Sequence, residues 1–240
     1  MAEQQVLTTD GLTRFKGKCD EAYLQKNKTG ADAISFRDGT VQDALDELLY
    51  VPVTIKSFTN TVNTVENGAT VDDVTLNWSI DGSPNSVKLD DTAQDLKATS
   101  KALTKLGLTK NTSWTLVATD GKTTSTKTTG VYFKDKRYWG VGNPATADAI
   151  DSAFVLALGG NELADNFQKT FTVTADKGNY IFYAIPASWG TPRFFVGGFE
   201  GGFGLVKTFD FTNASGATVS YNVYQSGNAN LGDTTVNVQK

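Results

Sequence analysis

From Val51 to Val238 the apolar residues return at every second position in short runs, and that period most constrains what this chain can fold into. Alternation at two turns one face of each run toward a core and the other toward water, the pattern of half-buried β-strands. Val51, Val53 and Ile55 open the series; Val74, Leu76, Trp78 and Ile80, Trp114 and Leu116, and Val131 and Phe133 continue it. Turn signals at Glu66-Asn67-Gly68, Asp81-Gly82-Ser83-Pro84 and Asp120-Gly121-Lys122 separate the runs. Residues 52 to about 136 are therefore expected to hold about seven short strands, the count of an immunoglobulin-like sandwich. Trp78 is expected as its buried tryptophan.

Half of the aromatic residues fall between Phe171 and Tyr224, around a stretch with five glycines in eight positions, Gly197 to Gly204. Aromatic and β-branched side chains suit pleated, half-buried surfaces, and glycines permit positive φ or close backbone approach. Alternation at Phe171, Val173 and Ala175, at Phe209 and Phe211, at Val219, Tyr221 and Val223, and at Val236 and Val238 predicts a second sandwich or jelly-roll-like module. Tyr138-Trp139-Gly140-Val141-Gly142-Asn143-Pro144 reads as a connector before it. Ala145 to Leu158 reads as a short helix closed by Gly159-Gly160.

The first fifty residues follow a different period. Leu12, Phe15, Cys19 and Ala22 recur at helical spacing, and Thr40-Val41-Gln42-Asp43 matches a capping box with Asp in place of Glu. Val41, Ala44, Leu45, Leu48 and Leu49 then form an apolar face that Pro52 ends. A helix of about ten residues cannot hold itself, so this face must dock on its own domain or on copies of itself. Narrow stripes suit coiled seams, which makes Leu12, Phe15, Cys19, Val41, Leu45 and Leu48 the candidate oligomerisation residues. The expected architecture is mainly β: a helical anchoring and oligomerisation segment over 1–50, an immunoglobulin-like β-sandwich over 51–136, and a C-terminal aromatic, glycine-rich β-domain over 137–240.

Composition narrows the chemistry. Acidic residues number 26 against 22 basic, which supplies no general attraction for nucleic acid or an anionic membrane. Cys19 stands alone, so neither an intrachain disulfide nor a cysteine-based zinc site is expected. The start, Met1-Ala2-Glu3-Gln4-Gln5, lacks the basic and apolar regions of an export signal, and no run approaches the roughly 20 apolar residues of a membrane span. A fold acquired in a reducing cytoplasm is the expectation.

No histidine occurs, which removes the commonest hydrolase triads and leaves Ser-Lys or carboxylate chemistry. Glu200 and Asp210 are the best carboxyl pair for glycoside hydrolysis, although Glu200 lies in a glycine turn where an acid needs no special reason. Asp72-Asp73 and Asp90-Asp91 lack the spacing of a calcium loop, and Gly197 to Gly204 matches no phosphate-binding fingerprint. No catalytic, metal or cofactor residue is assigned. Trp139, Trp189, Arg193 and Phe194 are the candidates for a sugar platform or for subunit contact, weighed against the demand of a core for aromatic side chains.

Three stretches taken together carry a resemblance. Ser57-Phe58-Thr59, Val65-Glu66-Asn67-Gly68, Val74 to Trp78 and Trp114 to Asp120 resemble the immunoglobulin-like modules of bacteriophage virion appendages. Tyr180 to Pro186 and Gly197 to Phe203 resemble a terminal β-module that accompanies them, and Thr40 to Leu48 is similar to short trimerising segments that precede fibre domains. The long repetitive shaft of extended tail fibres has no counterpart here. The resemblance implies a non-enzymatic virion protein made in the host cytoplasm: a short homotrimeric head or tail fibre, fixed through its N-terminus to capsid or tail proteins. Its β-domains would serve display or attachment to a host surface glycan, with no nucleic acid bound and no membrane insertion. A bacterial cell-surface carbohydrate-binding protein and a polysaccharide hydrolase remain as alternatives.

Overall fold

The computed structural model describes residues 13–16, 35–36 and 39–240. Residues 13–16 are helical; Leu12, Cys19 and Ala22, the remaining members of the first expected stripe, lie outside the described residues. Strands β1 (Ser35–Phe36) and β2 (Gly39–Thr40) pair antiparallel and lead straight into helix α1 (Val41–Leu48). Its capping box forms as expected: the Asp43 N–H donates to Thr40 Oγ1 at 3.1 Å, and the Thr40 N–H donates to Asp43 Oδ2 at 2.8 Å. Two of the donors that a helix start leaves unpaired are thereby satisfied.

Eight strands follow: β3 (Thr54–Asn60), β4 (Thr64–Glu66), β5 (Val74–Asp81), β6 (Ser86–Leu89), β7 (Thr92–Ala93), β8 (Ser100–Leu103), β9 (Thr112–Thr119) and β10 (Thr124–Gly142). One sheet has the order β3-β5-β8; the facing one runs β10-β9-β6-β7, with β4 added parallel to β10. This is the immunoglobulin-like arrangement, with β3, β5 and β8 in the places of strands A, B and E, and β6, β9 and β10 in those of C, F and G. Leu76 on β5 and Leu116 on β9, both wholly buried, stand on the two strands that a disulfide joins in antibody domains. Trp78 is buried as expected, edge-on to Phe58 at 6.4 Å. It sits on the B-type strand, however, and a second buried tryptophan, Trp114, sits on the F-type strand, whereas antibody domains place theirs on C.

The first long strand begins at Thr54 rather than at Val51, which is 60% exposed. Pro52 has no N–H to give a ladder, and the Val53 N–H donates to Thr123 Oγ1 at 3.1 Å instead. Tyr50 ties the end of α1 to the Asp120 turn, its hydroxyl donating to Asp120 Oδ2 at 2.7 Å.

The expected connector at Tyr138 to Pro144 is instead the second half of β10, which runs unbroken through 19 residues and serves both halves of the molecule. Its early part pairs with β9; its later part pairs with β11 (Gly160–Ala164) and β13 (Tyr180–Pro186). The expected single helix over Ala145 to Leu158 is two pieces, a 3-10 turn at Ala147–Ala149 and α2 (Ser152–Ala157). Ile150 is extended between them, and Asp151 starts a new helix by accepting the Phe154 N–H at 2.8 Å.

The remaining strands are β12 (Lys169–Ala175), β14 (Arg193–Val196), β15 (Phe199–Glu200), β16 (Phe203–Thr212), β17 (Thr218–Ser226) and β18 (Gly232–Gln239). They complete a second sandwich, with β16-β17-β13-β10-β11 facing β12-β18-β14-β15. Aromatic residues fill the space between, Phe171 stacking on Tyr183 at 5.5 Å. The opposite face of β13 is covered as well, by a cluster that includes Ile150, Val155 and Leu158 beside α2. Cover on both faces explains why Tyr180 to Pro186 is a continuous apolar run rather than an alternating one.

Burial pushes the phenols of Tyr138, Tyr183 and Tyr221 well above the ordinary tyrosine range. A raised folded pKa means stability that is complete below the unfolded value, about 10, and is lost as pH rises through the folded value. The chain should accordingly unfold cooperatively in alkali, with the tyrosinate absorbance of these three residues appearing in step with the loss of tertiary signal. Ionisation of all eight tyrosines while the fold persists would contradict this.

Candidate functional site

Strict alternation along β12, β18 and β14 buries Phe171, Ala175, Val236, Val238 and Phe194 and turns Thr170, Thr172, Thr235, Asn237, Gln239 and Phe195 outward. The register sets these in rows: Thr170 pairs with Asn237, Asn237 with Phe195, and Phe195 with Glu200. Thr170, Phe195, Gly197, Gly198, Thr235, Asn237 and Gln239 line a groove of about 380 Å³. Gly197 and Gly198, with φ of 59° and 86°, make the two-residue turn from β14 to β15, in which both central positions need positive φ.

Arg193 and Glu200 flank the groove as a fork-to-fork pair, Nε donating to Oε1 at 2.7 Å and Nη2 to Oε2. The Arg193 hydrogen bonds hold the Glu200 carboxyl below the usual range, and Glu200 holds the guanidinium above its own. The guanidinium also lies 5.3 Å from the centroid of the Phe195 ring. A general acid for glycoside cleavage needs its pKa raised, and the Glu200 shift has the opposite sign. Asp210 lies on β16, in the other sheet of the sandwich.

The four residues expected as an aromatic platform are not one surface. Phe194 points into the core, stacked on Phe203 at 4.4 Å and edge-on to Tyr183 at 5.8 Å, and is only 5% exposed; this corrects its assignment to a glycan or subunit contact. Trp139 is half-buried against the same core, next to Phe171 at 5.8 Å and under the Lys169 ammonium at 4.8 Å. Its indole also fills the space over Gly160, where a Cβ would sit 2.2 Å from the ring. Trp189 is half-buried on that core too. Arg193 alone stands on the outward face beside the groove. Phe195, Asn237 and Gln239 were not singled out from sequence, although the parity of Arg193-Phe194-Phe195-Val196 within one strand already allows only one of the two phenylalanines to face outward.

The second candidate surface is α1. None of its residues is buried: Val41 and Leu45 are half-covered, Leu48 is 64% exposed, and Leu49 beyond it is 51% exposed. Phe15 is 56% exposed. Asp90 and Asp91 adopt positive φ in the turn between β6 and β7, and Asp90 accepts the Thr115 N–H at 2.7 Å. Among the described residues no group of three or more His, Cys, Asp or Glu could hold a metal ion, and no helix is long and apolar enough to cross a membrane.

No protein-family model and no curated protein matches the chain. Among solved structures, the N-terminal eight immunoglobulin domains of Down Syndrome Cell Adhesion Molecule align with 72% of this chain at 10% identity and a TM-score of 0.26. The alignment takes in 20% of that chain, so this protein spans about a fifth of its length. Tandem immunoglobulin domains of titin align with 79% of this chain and 95% of theirs, at 9% identity and a TM-score of 0.24. The immunoglobulin-like assignment rests on the strand order itself.

Proposed function

We propose that the chain is a structural protein of a bacteriophage particle: a short homotrimeric head or tail fibre, anchored by its N-terminus to capsid or tail proteins and projecting two β-sandwiches for display or attachment. The observation that carries this reading is the apolar stripe Val41, Leu45, Leu48 of α1, capped as a helix yet without one buried residue in the single chain. An apolar stripe on so short a helix needs a partner to persist. The stripe leads into two sandwiches joined by one unbroken strand, a stiff projection that suits display.

Light scattering on the purified chain at micromolar concentration should give the mass of three copies. Leu45→Asp with Leu48→Asp should return it to the mass of one, while the β-sandwiches keep their melting behaviour to within about 0.5 kcal/mol, as expected of positions outside their cores. A wild-type mass of one copy would sink the reading. Antibody labelling of particles in the electron microscope would then separate head from tail.

A second reading, a carbohydrate-binding protein of a bacterial surface, is favoured by the outward groove at Phe195. Cell fractionation distinguishes the two: this one places the chain in the envelope of uninfected cells, the first in virions alone.

A further inference from the structure

We infer that the outer face of β12, β18 and β14 is a binding site for a neutral saccharide, seated against Phe195 and held by Thr170, Thr235, Asn237 and Gln239. The first argument is charge. The groove lining carries no formal charge, and Arg193 and Glu200 beside it neutralise each other through two hydrogen bonds. Nothing in it favours an anion or a cation over an uncharged partner.

The second argument is hydrogen-bonding type. Amide and hydroxyl side chains each both donate and accept, which matches a ligand built of hydroxyl groups that do the same. The side chains of Thr170, Asn237 and Gln239 make no hydrogen bond within the described chain, so their capacity is open to a ligand. Gly197 and Gly198 add peptide groups with no Cβ to shield them at the rim.

The third is the ring. Phe195 is half-buried and lines the groove, while Arg193 packs over the ring without lining the groove. An aromatic face held in place beside free amides offers both contacts that a pyranose needs, stacking for its C–H face and polar partners for its rim. A volume of about 380 Å³ lies at the lower end for small-molecule sites and suits a short saccharide segment.

The site supplies a ligand for the display role proposed above and rests on a single chain's groove. The two readings therefore fail separately. Phe195→Ala should keep the three-copy mass, and the Leu45→Asp, Leu48→Asp double variant should keep its affinity for a soluble trisaccharide.

The test applies the purified full chain to an array of immobilised neutral oligosaccharides of glucose, galactose, mannose and N-acetylglucosamine, with sialylated and sulfated counterparts. The best neutral binder is then titrated calorimetrically. Binding of a neutral member is expected, weakened about tenfold or more by Phe195→Ala and by Gln239→Ala, and unchanged by Thr174→Ala on the same sheet face outside the groove. Gln239 is exposed at a strand end, so its variant reports on the site even where Phe195→Ala disturbs the fold. No binding by the wild type, binding restricted to the charged counterparts, or neutral binding that Gln239→Ala leaves unchanged would each overturn the assignment.

Discussion

Glu66→Ala should cost about 3 kcal/mol and split one cooperative melting transition into two. Glu66 belongs to the first sandwich, is 9% exposed, and sits where the two sandwiches meet. Its Oε1 accepts the Tyr138 hydroxyl at 3.1 Å, and its Oε2 accepts the Lys136 ammonium at 3.1 Å and the Ser215 hydroxyl at 3.4 Å. Ser215 lies in the turn between β16 and β17, so one carboxylate joins β4, β10 and the far hairpin. Around it the Asn213 amide donates to the Asn67 carbonyl at 2.8 Å, and the Asn67 amide to Asp135 at 2.7 Å. Removing the carboxylate strands a buried phenol and a partly buried ammonium. Each unsatisfied buried group costs about 1–3 kcal/mol.

Gly68→Ala attacks the same junction without touching charge. Gly68 has φ of +90°, and an added Cβ would lie 2.7 Å from the Ala217 Cβ and 2.8 Å from the Ala217 nitrogen. Backbone cannot yield as a long side chain can, so the hairpin must move off the first sandwich. Glu66→Gln keeps an acceptor for Tyr138 and loses only the ion pair, so it should cost less than either. Calorimetry and urea titration measure all three. A single transition at the wild-type midpoint in both Glu66→Ala and Gly68→Ala would show that β10 alone couples the sandwiches.

That coupling marks where the sequence was readable and where it was not. Thr40 and Asp43 could be read as a capping box because both partners lie within one helical turn. The strands of the first sandwich were readable because burial on one face leaves a period of two in Leu76 and Trp78, or Leu116 and Ala118. The continuation of β10 was hidden: Lys134-Asp135-Lys136-Arg137 looks like the charged end of a domain. Its charges are instead paired with Asp165, Glu66 and Glu162, partners 25 to 70 positions away that no local pattern discloses. The groove was half legible. Its aromatic and the arginine beside it lie in one tetrapeptide, but the choice of Phe195 over Phe194 depends on which face of β14 meets β18 and the core, a non-local fact of register.

Arg137→Met should destabilise the chain by about 2–3 kcal/mol, the cost of leaving the Asn166 and Gln168 carbonyls without their buried donor. Arg137 is 8% exposed in the middle of β10, and one of its terminal nitrogens donates to the Asn166 carbonyl at 3.2 Å and to the Gln168 carbonyl. The other donates to Glu162 Oε2 at 3.0 Å, which also accepts the Lys169 ammonium at 2.6 Å. The planar fork thus pins the bend from β11 to β12 to the shared strand, helped by the Tyr183 hydroxyl on the Phe167 carbonyl at 2.6 Å. Methionine fills similar volume but donates nothing to two backbone carbonyls. Lysine restores the charge without the fork, and Arg137→Lys should recover only part of the loss. Acid titration separates this network from simple packing. The Lys169 hydrogen bond and then that of Arg137 hold the Glu162 carboxyl below the ordinary glutamate range. A depressed folded pKa stabilises above the unfolded value, about 4.3, and that contribution is lost as pH falls through the folded value. Arg137→Met removes part of the depression, so from about pH 5 to about pH 3 the variant should lose less further stability than the wild type. Parallel acid profiles would mean that Arg137 acts through its carbonyl contacts alone; an unchanged midpoint at neutral pH would mean that the bend holds its place without the fork.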